Sequence, residues 1–220
     1  VYREDTPALR GLDWRLADGE HWVVTGRNGS GKSTFLGTLY GTHPVALGGR
    51  VLRRGQAPGT PLEEIRAGIG LVSPELQADY DAGATLEEIV VSGLRGSVGL
   101  DAPATRAELR AARRALGRLD LGRLAGRRPR ELSYGELRLA LIARAWVHEP
   151  KLLLLDEPFT GLDPARRARL RAALSSLARG GTRLVLALHH QDDAPPACNR
   201  RLHLVRGQGR VLPWPATSRR

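Results

Sequence analysis

Residues 26–34 read GRNGSGKST and fit the spacing G-x-x-x-x-G-K-[ST] from Gly26 to Ser33. The apolar stretch HWVVT precedes them and a helical pattern follows, the context a phosphate-binding loop requires. Gly29 and Gly31 let the backbone bend so that consecutive N–H groups face one anion. A helix starting near Lys32 adds its positive N-terminal end. Lys32 is expected to reach the β- and γ-phosphates of a nucleoside triphosphate, Ser33 to ligate Mg²⁺, and Thr34 to hold the α-phosphate side.

A second group of chemical residues closes the segment KLLLLDEPFTGLD, 151–163. Four leucines in a row predict a strand buried on both faces, as in the centre of a parallel sheet. Acids at its carboxyl end lie where open α/β sheets bind ligands. Asp156 is expected to reach Mg²⁺ through water, and Glu157 to face the space beyond the γ-phosphate, where it can take a proton from an attacking water. A further strand is predicted in TRLVLALHH, 182–190, with His189 as the first residue past it and near the same edge.

The elements that must position these residues follow from the pattern. The Gly-flanked GGRVLRR, 48–54, reads as a β segment of a small antiparallel lobe. The stretch from about 80 to 148 turns helical, and TRAELRAARRALGRL places Leu109, Ala112, Leu116 and Leu119 on one face. Strand and helix alternate from 150 onward. Asp163-Pro164 is expected to open a helix as N-cap and N1, and Gly180-Gly181 to end it. RLHLVRGQGRVLP reads as a hairpin around Gly207–Gly209.

Bulk properties exclude several classes. The 220 residues form one domain with a real core, and no run of 18 apolar residues spans a membrane. The single cysteine, Cys198, rules out an intrachain disulfide and reads as a packing residue in a reducing compartment. The net charge of +11 comes almost wholly from arginines spread through an Ala-, Gly- and Leu-rich chain, which argues against a nucleic-acid patch. Only Lys32 and Lys151 are lysines, so where a lysine stands an arginine's wide fork does not serve. The chain does not begin with Met and is expected to start inside a longer gene product.

The discriminating stretch is PRELSYGELRLALIARAWVHEP, 129–150. Ser133 and Glu136 form the S-x-x-E of a capping box, and Leu137, Ala140, Leu141 and Ala145 follow at helical spacing. LSYGE about twenty residues before the apolar-Asp-Glu strand resembles the signature of ABC-type ATPases, usually close to LSGGQ. Gly26–Thr34 is similar to their Walker A loop, Leu152–Glu157 to Walker B, TGLD (160–163) to the D-loop, and His189 to the switch histidine. VSPELQ and ALHHQDDAPP resemble the molybdenum-transport and photorepair-type subgroup.

The resemblance implies an α/β fold: a P-loop NTPase, RecA-like core with an antiparallel β lobe and a helical lobe inserted at about 80–148, all one nucleotide-binding domain, 1–220. It implies ATP and Mg²⁺ held by Tyr2 (adenine stacking), Gly26, Arg27, Asn28, Gly29, Ser30, Gly31, Lys32, Ser33 and Thr34. Ser133, Gly135, Glu136 and Asp163 would come from a second copy or a paired ABC domain. Catalysis would rest on Glu157, His189 and Lys32, and the metal on Ser33, Asp156 and Gln77.

The leading expectation is an ATP-hydrolysing subunit of an ABC transporter, cytoplasmic and peripheral at the inner membrane face beside a transmembrane permease. The alternatives are a soluble, tandem-domain ATPase acting on nucleic acid, ribosomes or repair, and a non-hydrolytic switch. Two departures stand out. Tyr134 and Glu136 replace a glycine and a glutamine of the signature. In AGIGLVSPELQADY, Pro74 takes the place of the family's sensor glutamine and has neither an amide side chain nor an N–H, which leaves Gln77, Ser73 or a water for that position.

Overall fold

The structure is a computed structural model that describes residues 6–45, 48–53, 55–57, 59–74 and 83–214, with the backbone alone at 2–3 and 6–7. Six strands form one sheet: β3 (Trp22–Thr25), β4 (Ile69–Val72), β5 (Leu152–Asp156), β6 (Arg183–Ala187), β7 (Arg200–Val205) and β8 (Gln208–Leu212). Their order is β4-β5-β6-β3-β7-β8, parallel throughout except for the β7–β8 hairpin. The short strands β1 (Tyr2–Arg3) and β2 (Thr6–Pro7) pair separately and antiparallel. This is a mixed α/β fold built on a parallel sheet.

The strands alternate their side chains between two cores. Trp22, Val24, Leu154, Val185 and Ala187 pack on one side with Phe35 and Leu36 of helix α1 (Lys32–Tyr40). Trp14 stands edge-on to both Trp22 and Phe35, with ring centroids 5.4 and 5.0 Å apart, and so fixes α1 against β3. Val23, Leu153, Leu155, Leu184 and Leu186 pack on the other side, against α5 (Tyr134–Trp146) and α6 (Pro164–Arg179). Leu153–Leu155 are fully buried, as their unbroken apolar run predicts.

A short α2 (Leu62–Ala67) leads into β4. Helices α3 (Leu86–Arg95) and α4 (Arg106–Arg118) pack on α5 and on each other. Both begin with capping boxes, Thr85 with Glu88 and Thr105 with Glu108. Arg95 of α3 reaches Glu108 at 2.9 Å through both Nε and Nη2. That pairing, with the Thr105 amide, holds the Glu108 carboxyl at about 2. Ala112, Leu116 and Leu119 are buried along α4 as its periodicity requires.

Two sequence expectations change. Residues 48–53 form no strand: Leu52 is 82% exposed, and Arg53 instead donates to the Leu39 carbonyl at 2.7 Å, at the end of α1. With no described partner strand beside it, the Gly-flanked segment stays irregular. Strand β6 stops at Ala187, two residues before His189, although the Leu188 N–H still donates to the Val24 carbonyl at 3.0 Å.

Candidate functional site

The registers align Val24 of β3, Ala187 of β6 and Asp156 of β5 in one row across the sheet. The chain therefore leaves all three strands at the same carboxyl edge. Gly26 lies two residues past that row on one strand, Glu157 one past it on the next, and His189 two past it on the strand between.

The loop after β3 closes tightly. Gly26 has φ +150°, and a Cβ there would sit 2.4 Å from the Leu204 carbonyl oxygen of β7, so only glycine fits. Gly31, in the left-handed region, is the N-cap of α1 and offers no side-chain cap. Lys32 is almost fully buried and folds back over the loop, its Nζ donating to the carbonyls of Gly26 at 2.9 Å and Arg27 at 3.3 Å. The Ser30 hydroxyl is buried and has no hydrogen-bond partner among the described residues. An uncapped helix start, an ammonium and an unused hydroxyl are groups suited to phosphate oxygens.

Beyond β5, Asp156 is 2% exposed. Glu157 has φ +50°, a conformation that costs an L-residue on the order of 1 kcal/mol. The surroundings impose it. The Glu157 N–H donates to the Ala187 carbonyl at 3.0 Å, and the Thr160 N–H donates to the Glu157 carbonyl at 3.2 Å. Arg138 of α5, buried, donates from Nη2 to the carbonyls of both Asp156 and Glu157. The carboxylate of Glu157 then meets His189, Oε1 to Nε2 at 2.7 Å. The ring stands against the carboxylate and limits where it points.

Arg138 was not singled out in the sequence. A lone arginine inside the otherwise apolar run LRLALI was the available signal. Arg138→Met removes the guanidinium from the buried Asp156 carbonyl and leaves the Glu157 carbonyl only the Thr160 N–H among the described residues, and it is expected to lower unfolding free energy by about 1–3 kcal/mol in denaturant titrations. A loss within experimental error of zero would show that other groups hold that strand end.

The 133–136 segment sits on the 161–166 segment. Ser133 caps α5: its Oγ accepts from the Glu136 N–H at 3.3 Å and donates to Glu136 Oε2 at 2.9 Å. Tyr134 packs over Gly161, where a Cβ would lie 2.5 Å from the ring and φ is +75°. Gly135 faces Leu162 and the Gly161 carbonyl. Asp163 caps α6, accepting from the Arg166 N–H at 2.9 Å. Arg166 joins the two segments through Glu136, Nη2 to Oε1 at 2.9 Å. Arg167 reaches the Leu162 carbonyl at 3.0 Å and both Asp193 oxygens at 2.9 Å, tying the same segment to the chain just after His189-His190. No local signal in the sequence marks these arginines.

Gln77 lies outside the described residues, as does the side chain of Tyr2. Ser73 and Pro74 follow β4 directly at its carboxyl end. Cys198 is buried, its thiol pushed up to about 12 by desolvation, in keeping with a packing role. Among the described residues no helix is long and apolar enough to cross a membrane.

The pattern of the ABC transporter family matches residues 9–160. The chain is 38% identical over 213 residues to the ABC transporter ATP-binding protein ModF of Escherichia coli, covering 93% of this chain and 43% of ModF. It thus spans less than half the length of that relative. It is 32% identical to the zinc transport system ATP-binding protein TroB of Treponema pallidum, over 86% of this chain and 69% of TroB. The dimeric structure of the bacterial ABC transporter cassette MJ0796 shares the fold, with a TM-score of 0.81 and 24% identity over 94% of this chain and 90% of that one.

Proposed function

The chain belongs to the ABC transporter family, whose ATP-binding members are P-loop ATPases, and we propose that it is the subunit that binds and hydrolyses ATP to drive a transporter. The observation that carries this reading is the Glu157–His189 pair at 2.7 Å, at the sheet edge where the phosphate loop also opens. A non-hydrolytic switch needs neither group. Lys32 and the first amides of α1 bind the β- and γ-phosphates. A water attacks the γ-phosphorus, its proton passes to the Glu157 carboxylate, and the bond to the bridging oxygen breaks to leave ADP and phosphate. His189 holds that carboxylate in place.

Ser33 and Asp156 are hard oxygen donors that would hold Mg²⁺, which would offset phosphate charge there. Among the described residues no group of three His, Cys, Asp or Glu could hold a metal alone, in keeping with an ion that arrives with the nucleotide.

Each half-site is completed by another cassette. Ser133 and Gly135, at the positive end of α5, face the γ-phosphate bound to the opposite phosphate loop. The working unit is a dimer lying at the inner face of the membrane against a permease; the transport role draws support from the similar protein TroB, which is named as the ATP-binding protein of a zinc transport system. A second reading, in which two cassettes share one soluble chain, is favoured by the 43% coverage of ModF. Co-sedimentation with membranes separates the two readings. Ser133→Arg tests the composite site: ATP binding by the monomer is kept, and turnover at saturating ATP falls at least about tenfold, as expected when a helix-terminal anion contact is blocked by bulk. Wild-type turnover in that variant would refute the composite site.

A further inference from the structure

Glu136 sets a carboxylate on the first turn of α5, in the segment that meets a γ-phosphate under the function proposed above. A glutamine at that position is neutral. A glutamate brings negative charge toward a polyanion and would oppose its approach. Hydrogen bonds from the Ser133 N–H, with Ser133 Oγ and Arg166 beside them, hold the Glu136 carboxyl below the usual carboxylate range, so it is charged at neutral pH.

The surroundings of this carboxylate are specific. Oε2 accepts from Ser133 N at 2.9 Å and Ser133 Oγ at 2.9 Å. Oε1 accepts from Arg166 Nη2 at 2.9 Å. Arg166 is itself held: Nη1 donates to Asp163 Oδ2 at 3.1 Å, and its own N–H donates to Asp163 Oδ1. Its side chain is 34% exposed and that of Glu136 is 17% exposed, so the pair is partly shielded from water. Arg123 adds a weaker attraction from farther away. The guanidinium draws Oε1 toward α6 while Oε2 stays on Ser133, so the negative charge beside the Ser133–Gly135 end of α5 is offset by a cation.

We propose that Arg166 is a positioning residue for nucleotide-dependent dimerisation: by neutralising Glu136 and turning it toward α6, it allows a glutamate where the signature otherwise carries an amide. This rests on the reading that Ser133–Gly135 meets the γ-phosphate of a second cassette. Arg166 touches neither substrate nor reacting atoms, and its effect passes through Glu136.

The test is a double-mutant cycle on the full chain in a Glu157→Gln parent, with Mg²⁺ and ATP, reading the dimer dissociation constant by sedimentation. Arg166→Gln weakens dimerisation by about tenfold or more, as expected for an uncompensated charge facing phosphate in a partly shielded site. Arg166→Lys keeps most of the affinity. Adding Glu136→Gln to Arg166→Gln restores the constant to within about threefold of the Glu136→Gln variant alone. The Arg166→Gln loss also shrinks at high salt, which screens the repulsion.

An equal loss with and without Glu136→Gln would overturn the proposal, since removal of a merely structural contact to Asp163 acts the same in both backgrounds. No loss in either would overturn it as well. If the Glu157→Gln parent forms no ATP-dependent dimer, the composite-site reading itself fails, and that outcome is seen before any Arg166 variant is made.

Discussion

Glu157→Gln is expected to lower steady-state ATP hydrolysis by at least about 100-fold, the usual scale for a missing general base. ATP affinity should stay within about threefold of the wild type, because the change removes a charge without removing volume. The amide can still lie against His189 Nε2, which is now 2.7 Å from the carboxylate, so the side chain keeps its place. The left-handed backbone at Glu157 is set by Ala187, Thr160 and Arg138 and does not depend on the side chain's charge. What is lost is the proton acceptor. With binding intact and chemistry stopped, the ATP-bound dimer accumulates, and size-exclusion chromatography with ATP reads it as a shift to twice the monomer mass. Hydrolysis within twofold of wild type would remove Glu157 from the role of base.

Lys32→Ala is expected to abolish tight ATP binding, with affinity falling by about 100-fold or more. A charge-assisted hydrogen bond contributes about 1.5–3 kcal/mol, and the ammonium contacts more than one phosphate oxygen in the proposed complex. The protein-side effect is separable. Lys32 bridges the Gly26 and Arg27 carbonyls at 2.9 and 3.3 Å, so its loss also loosens the empty loop. Thermal unfolding without nucleotide measures that part, and titration calorimetry with ATP measures the whole.

Lys32→Arg should also fail, by about tenfold or more, because a planar fork does not fit a buried position that a compact ammonium fills. An unchanged ATP affinity in Lys32→Ala would refute the phosphate cradle. Arginine is everywhere in this chain and lysine occurs elsewhere only at Lys151, so the Lys32→Arg result bears directly on why the lysine is there.

The sequence carried local facts because they depend on neighbours along the chain. The four-leucine run dictates a strand buried on both faces, and β5 is that strand. Ser133 and Glu136 are three residues apart, and their capping box forms as the spacing requires. Asp163-Pro164 starts a helix because an Asx side chain caps amides and proline at N1 lacks the N–H that would go unused. Where the chain needed a partner strand, as at 48–53, local pattern misled, because pairing is a property of two segments.

Tertiary structure alone decided how the distant pieces meet. The row Val24–Ala187–Asp156 exists because strand order places β6 between β3 and β5, which no local spacing encodes. The close approach of Glu157 and His189 follows from that order. The arginines divide the same way. Arg138, Arg166 and Arg167 belong to compositionally ordinary helices, yet each holds a group far along the chain: the strand end at 156–157, Glu136, and Asp193. A guanidinium side chain is long enough to serve either solvent or a buried carbonyl, and only the packing of helices on the sheet selects between them.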